Sequence, residues 1–331
     1  MPALPSWKMY RILVHLGLPK TATTSLQHNV FQPLHDQGRI NFLGKNLDYN
    51  ETNGNVVVIN YNGKFIREAA EGKLCVEKAK GMLSTVLTNE KLNVFSDEGL
   101  MIAYPGQKNL SLNQKFSNLK QLFDGYDAKV VLTLRDPVEY CYSLYVQMYP
   151  DFFSTIADLN SFEKYSDKIF QNENDVMFES FFSEKYLSKL EREFDVSLTY
   201  FEDLSRDKLR FYNQWAEFLS VDSEVFSQLF ESKHENQKVK KATGSQKVFS
   251  LKPVETFGKE AFSQVPWAFP FFRYLYRSFN LRSAFNKRVS LGSVHNKPVG
   301  ERLARLNDVF HGYSYRNRDS KKRPVETAQA N

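Results

Sequence analysis

Blocks of apolar residues, spaced first as strands and then as helices, repeat along the first two thirds of the chain. Tyr10 to Leu16 is an apolar run of strand length, closed by Gly17. From Thr24 to Leu34 the apolar positions Leu26, Val30 and Leu34 recur every four residues, which places them on one face of a helix. Leu92–Ser96, Lys129–Leu134 and Val196–Phe201 read as further short buried strands. Helical spacing occupies Lys78–Leu87, Pro137–Met148, Phe182–Phe194 and Lys208–Leu219. Strands alternating with helices predict an α/β fold, a central parallel sheet flanked by helices, with ligands bound beyond the C-terminal ends of the strands. The Asn-rich segment Asn46–Asn62 is expected to be a loop excursion.

The pattern changes near Lys233. Residues 1–232 carry 24 Lys and Arg against 31 Asp and Glu, whereas residues 233–331 carry 20 against 7, so a net charge of +6 hides a basic final third suited to anions. Pro266 to Tyr276 (PWAFPFFRYLY) is densely aromatic, and the residues from Arg316 have the composition of a disordered tail. The expected organisation is a core domain over 1–250, a basic aromatic extension packed on it over 251–315, and a tail over 316–331. With 42% hydrophobic and 25% charged residues the chain is of globular composition, and 28 Phe make it unusually aromatic. Cys75 and Cys141 have neither CxxC spacing nor a His cluster, which argues against a disulfide framework or a zinc site and fits a reducing compartment. No apolar run approaches the roughly 18–20 residues of a membrane span, and the N-terminus lacks the pattern of a signal peptide. A cytoplasmic protein is expected, with a lumenal catalytic fragment as the alternative.

The chemistry begins in RILVHLGLPKTATTSLQ, Arg11 to Gln27. A strand, a tight loop and a helix start bring backbone N–H groups and the positive end of a helix dipole to one point, which suits phosphate or sulfate. Against the triphosphatase pattern GxxxxGK[ST], Gly17 takes the first glycine, Ala22 the second, Thr23 the lysine and Thr24 the final hydroxyl. The lysine is absent from its helix position and Lys20 stands inside the loop, where it approaches the anion from the side. Thr21, Thr23, Thr24 and Ser25 supply hydroxyls around it. The simpler reading is a hydroxyl-rich helix cap built on Thr24 or Ser25. Asp97 and Asp136 follow strands but each has another natural role, so magnesium-assisted triphosphate chemistry is disfavoured and no metal is expected.

LTLRDPVEYCYSLYVQ, Leu132 to Gln147, repeats the design. Arg135 ends a strand, Asp136 stands at the N-cap and Pro137 in the first turn, where its missing N–H costs nothing. Ser143 lies two turns further on. The planar fork of Arg135 suits phosphate; its alternative partner is a nearby carboxylate.

Together these stretches resemble the sulfotransferases that use 3′-phosphoadenosine 5′-phosphosulfate. The resemblance rests on PKTATTSLQ and RDPVEYCYS, supported by FSDEGL (95–100) and TYFEDL (199–204). It implies a P-loop-like sulfotransferase fold, with Pro19, Lys20, Thr21, Ala22, Thr23, Thr24 and Ser25 around the 5′-phosphosulfate, and Arg135 and Ser143 on the 3′-phosphate. Ala22 departs from the family's usual glycine; a positive φ there would cost about 1 kcal/mol. The resemblance further implies in-line sulfuryl transfer, with Lys20 and the loop stabilising the leaving phosphate and a side chain taking the acceptor's proton. Glu98 is the first candidate for that base, Asp97 the second and His15 the third. Asp97 and Glu98 have a plainer reading as helix caps, and His15 as a core residue. Lys240, Lys241 and Gly244, in the basic stretch Lys233–Gln246, correspond to the family's closing loop on the 3′-phosphate.

For the acceptor, the basic aromatic final third suits a carbohydrate, and the same segment suits a membrane surface. Nucleic acid is not expected, since no recognised module is present. The competing readings are a P-loop kinase or triphosphatase and a non-catalytic, membrane-associated anion-binding protein.

Overall fold

The computed structural model describes residues 10–49 and 56–232, together with the short strands Ser245–Val248 and Lys287–Ser290. The chain divides into two units, residues 1–136 with 174–237 and residues 137–173 with 238–331, each described by itself. The boundaries expected at 250 and 315, the stretch Pro266–Tyr276 and the tail from Arg316 lie outside the described residues.

The first unit is built on seven strands: β1 (Arg11–Gly17), β2 (Ile40–Phe42), β3 (Asn46–Tyr49), β4 (Val56–Asn60), β5 (Leu92–Ser96), β6 (Asp127–Leu134) and β7 (Asp195–Tyr200). Five of them form a sheet in the order β2-β5-β1-β6-β7, with every neighbouring pair parallel. β1 lies at its centre, and Ile12 to Leu16 are buried on both faces, which is why the run is apolar at successive positions rather than at alternate ones. On one face Leu13, Val94 and Val131 pack against Leu26, Val30 and Phe31, and against Phe211 and Trp215 of helix Lys208–Leu219. Helices Lys64–Ala70, Val76–Val86, Leu112–Leu122 and Ser183–Glu193 form a second layer, each in contact with the next. Helix Leu112–Leu122 opens on a capping box: Gln114 N donates to Ser111 Oγ at 3.2 Å, and Ser111 N donates to Gln114 Oε1 at 3.0 Å.

The expected α/β fold with a parallel sheet is therefore the fold observed. Asn46–Asn62, expected as a loop, instead holds the antiparallel pair β3–β4. Val57, Val58 and Ile59 are 53–59% exposed, so their apolar run carries no burial signal and no alternation.

The chain leaves β1 towards one edge of the sheet and leaves β6 towards the other. That reversal opens the crevice between β1 and β6 in which α/β sheets bind ligands.

In the second unit, helix Pro137–Met148 packs on helix Phe162–Gln171. Tyr145 is surrounded by Phe153, Phe162 and Tyr165, with ring centroids 5.2–5.8 Å away. β8 (Ser245–Val248) and β9 (Lys287–Ser290) pair antiparallel. Among the described residues no helix is long and apolar enough to cross a membrane.

Candidate active site

The loop after β1 is shaped by its own sequence. Leu18 N donates to Thr133 O at 3.1 Å, extending the β1–β6 ladder by one step. Thr21 then folds back, its Oγ1 donating to Leu18 O at 2.6 Å. Gly17 makes room for this: a Cβ there would overlap Thr23 Oγ1 and lie 3.0 Å from Thr21 Oγ1 and 3.2 Å from His15 Nε2. Lys20 (φ 67°) and Ala22 (φ 61°) are both left-handed, a conformation that side-chain-bearing residues adopt only when their surroundings enforce it. Ala22 therefore carries the strain that a positive φ imposes on a residue with a Cβ. The helix begins at Thr23 and its cap residue is Ala22, which has no side-chain acceptor, so the plainer reading of a Thr24 or Ser25 cap does not describe this loop. Helical structure continues as Thr23–Ser25, a π segment Leu26–Phe31 and Gln32–Asp36. Pro19, Thr21 and Thr23 are buried, while Lys20, Ala22, Thr24 and Ser25 are half-buried at the surface of the loop.

Arg135 meets this loop directly. Its Nη1 donates to Lys20 O at 2.8 Å, and its guanidinium lies 4.7 Å from the Phe201 ring centroid. Beside it Asp136 N donates to Glu202 Oε1 at 2.8 Å. Burial raises the pKa of Glu202, against the pull of the Asp136 amide and of Arg135. Ser143 lies in helix Pro137–Met148 of the second unit and is half-buried there. Lys240, Lys241 and Gly244 lie outside the described residues.

The three candidate bases occupy different environments. Asp97 is fully buried: Oδ1 accepts from Gly99 N at 2.8 Å, and Oδ2 accepts from Tyr61 Oη and from Arg67 Nη1, the latter at 3.4 Å. Oδ1 caps the turn Glu98–Met101 and Oδ2 is taken by Tyr61 and Arg67, so Asp97 is a cap and an ion-pair partner rather than a base facing an acceptor. Burial works against the Arg67 charge, but Asp97 and Glu71 outweigh it and keep the guanidinium protonated. His15 is also fully buried, with Nδ1 2.9 Å from Ser96 Oγ and Nε2 3.1 Å from Thr133 Oγ1. Burial pushes its pKa down to about 3, so the ring is neutral and belongs to the core, wedged edge-on against Trp215 with centroids 4.9 Å apart. Glu98 alone reaches the surface, its side chain 23% exposed. Oε2 accepts from Gln27 Nε2 at 3.4 Å, and Oε1 lies 3.7 Å from Lys45 Nζ.

Sequence reasoning picked out the loop, Arg135 and Glu98. It missed Gln27, which lies within the quoted loop-and-helix stretch but does not titrate. Nor does it reach Lys45, which no motif marks, or Glu202, which the TYFEDL stretch contains but does not distinguish.

A sequence model of the sulfotransferase domain matches residues 12–262. No curated protein matches the chain. Solved structures with some likeness include a sulfotransferase from Alicyclobacillus acidocaldarius, at 14% identity over 64% of this chain and 81% of that one, with a TM-score of 0.42. A mouse sulfotransferase complexed with PAP shows 12% identity over 70% of this chain and 68% of that one, with a TM-score of 0.39. Retinol dehydratase in complex with androsterone and inactive cofactor PAP shows 15% identity over 66% and 63%, with a TM-score of 0.37. The domain match spans most of the chain, and on it the chain belongs to the sulfotransferase family. An enzyme of sulfuryl transfer replaces the kinase or triphosphatase reading.

Proposed function

We propose that this sulfotransferase takes its sulfuryl group from 3′-phosphoadenosine 5′-phosphosulfate and delivers it to a hydroxyl or amine of a carbohydrate acceptor in the cytoplasm. The observation that carries the donor assignment is the bond from Arg135 to the Lys20 carbonyl, which ties the two anion motifs together at the C-terminal ends of β1 and β6. The residues there fit such a donor. The helix start has no side-chain cap and is ready to receive an anion, and Lys20 stands beside it. Arg135 supplies a fixed cation, with Ser143, Lys240, Lys241 and Gly244 assigned to the 3′-phosphate on sequence motif alone.

In the reaction the acceptor oxygen or nitrogen attacks sulfur as the bond from sulfur to the bridging phosphate oxygen breaks. Glu98 takes the acceptor's proton, and Lys20 with the loop N–H groups stabilises the charge left on the phosphate. No metal enters this scheme. The basic aromatic final third is assigned to the saccharide, and to any peripheral contact with a membrane.

The test is a thermal-shift titration of the wild type and Arg135→Ala with adenosine 3′,5′-bisphosphate, with 5′-AMP as control. Stabilisation by the bisphosphate over 5′-AMP, lost in the variant, is the expected result. Equal response to the two nucleotides would overturn the donor assignment.

A further inference from the structure

Below the loop, buried polar side chains from four adjacent strands stand in a row on one face of the sheet. Thr199 of β7, Thr133 of β6, His15 of β1 and Ser96 of β5 are all 0% exposed and lie next to the apolar layer of Leu13, Val94, Val131 and Trp215. Thr199 Oγ1 lies 2.8 Å from Thr133 Oγ1, Thr133 Oγ1 3.1 Å from His15 Nε2, and His15 Nδ1 2.9 Å from Ser96 Oγ. Gln27 closes the row from the helix side, its Nε2 donating to Ser96 O and Ser96 Oγ at 3.1 Å each and to Glu98 Oε2 at 3.4 Å.

Aliphatic side chains would fill these positions without the cost of burying hydroxyls, an imidazole and an amide. The row therefore serves something other than stability, and its one end near solvent is Glu98. Two features aim Gln27 at that end. It sits in the π segment Leu26–Phe31, a widened turn of the sort that recurs at functional sites. Its amide nitrogen, 3% exposed as a residue, is held from below by Ser96, whose hydroxyl is held in turn by the neutral His15 ring.

We infer that Gln27 is a positioning residue for the base: its amide N–H fixes the Glu98 carboxylate towards the loop, and the buried row Ser96–His15–Thr133–Thr199 holds Gln27 in place. This rests on the reading of Glu98 as the base. The N–H donated to Oε2 sets the direction of the carboxylate. Lys45 lies 3.7 Å from the other oxygen.

The experiment compares wild type, Gln27→Met, Ser96→Ala and Glu98→Gln. Each is assayed for kcat and KM of sulfuryl transfer and for stabilisation by adenosine 3′,5′-bisphosphate. Gln27→Met is expected to lower kcat about tenfold with little change in KM and none in nucleotide stabilisation. Ser96→Ala keeps the Gln27 amide, loosens its anchor and lowers kcat by less, and it serves as the reporter should Gln27→Met fail to fold. An unchanged kcat in both variants, or a loss carried by KM or by nucleotide stabilisation instead, overturns the inference. If Glu98→Gln retains full activity, the base assignment itself fails and the inference falls with it. If Glu98→Gln is inactive while the Gln27 and Ser96 variants match wild type, only the inference fails.

Discussion

Arg135 donates from Nη1 to the carbonyl oxygen of Lys20 at 2.8 Å, so the residue just after β6 holds the left-handed bend in the loop after β1. A charge-assisted bond contributes about 1.5–3 kcal/mol, and the stacking on Phe201 adds about 0.5–1 kcal/mol. Arg135→Ala is therefore expected to lower stability by roughly 2 kcal/mol in urea unfolding. Amide hydrogen exchange is also expected to speed up at residues 20–25 while the centre of β1 stays protected. Unchanged exchange in the loop would mean that the bend stands without Arg135.

Neighbouring carboxylates divide stability from chemistry. Glu98 is partly exposed and glutamine keeps an oxygen for the Gln27 amide, so Glu98→Gln is expected to leave the melting temperature nearly unchanged while kcat falls by about 10²–10⁴. Asp97 is fully buried and bound to Arg67, Tyr61 and the Gly99 amide, so Asp97→Asn breaks a buried ion pair at a cost of about 3–5 kcal/mol. Melting curves and transfer rates on the two variants check the division. The reverse pattern would move the base to Asp97.

The depth of these groups is what sequence reasoning lacked. Asp97, Glu98 and His15 all have acid–base side chains and all flank the loop, and nothing in their order along the chain says that Asp97 and His15 are buried and Glu98 is not. Gln27 was passed over for the opposite reason, since a search for acids and bases does not see an amide. The parallel sheet was legible because fully buried strands read as short apolar runs, and the expected bounds of β1, β5, β6 and β7 lie within two residues of those observed. β2, three residues long, and the exposed β4 carry no such signal. Nor does any local pattern announce the π segment Leu26–Phe31, whose apolar spacing reads as an ordinary helix.

The loop backbone offers a test of strain. Ala22 at φ 61° pays for a conformation that glycine adopts freely, and Ala22→Gly is expected to stabilise the fold by about 1 kcal/mol. Gly17→Ala should do the opposite, because its methyl group would overlap Thr23 Oγ1 and crowd Thr21 and His15. A loss of about 1–3 kcal/mol is expected, with weaker nucleotide binding as the loop shifts. Differential scanning calorimetry of both variants decides the matter. A destabilised Ala22→Gly would show that the left-handed bend at Ala22 is not strained.

Lys115 gives the pH dependence its sharpest handle. It is 2% exposed, and its ammonium donates to Leu100 O and Ile102 O at 3.0 Å each, pinning the end of the turn that carries Glu98 and the residue after it. Burial pushes its pKa down from the ordinary lysine value of 10.5 to about 8. Between those two values the unfolded chain keeps a proton that the folded protein has released, so raising the pH favours the fold. Lys115 thus adds stability as pH climbs through this window, and the gain is fully present only above the unfolded pKa. The depression corresponds to about 3 kcal/mol across the window. Comparing Lys115→Met with wild type cancels the other titrating groups, and the unfolding free energy of wild type minus variant is expected to rise from pH 8 to pH 10.5. At neutral pH the two effects of the substitution oppose each other, since methionine removes the buried charge but leaves two carbonyls without their donor. A difference that stays flat with pH in urea unfolding would mean that Lys115 titrates alike in both states, and that the carbonyl clamp holds an ammonium at no cost.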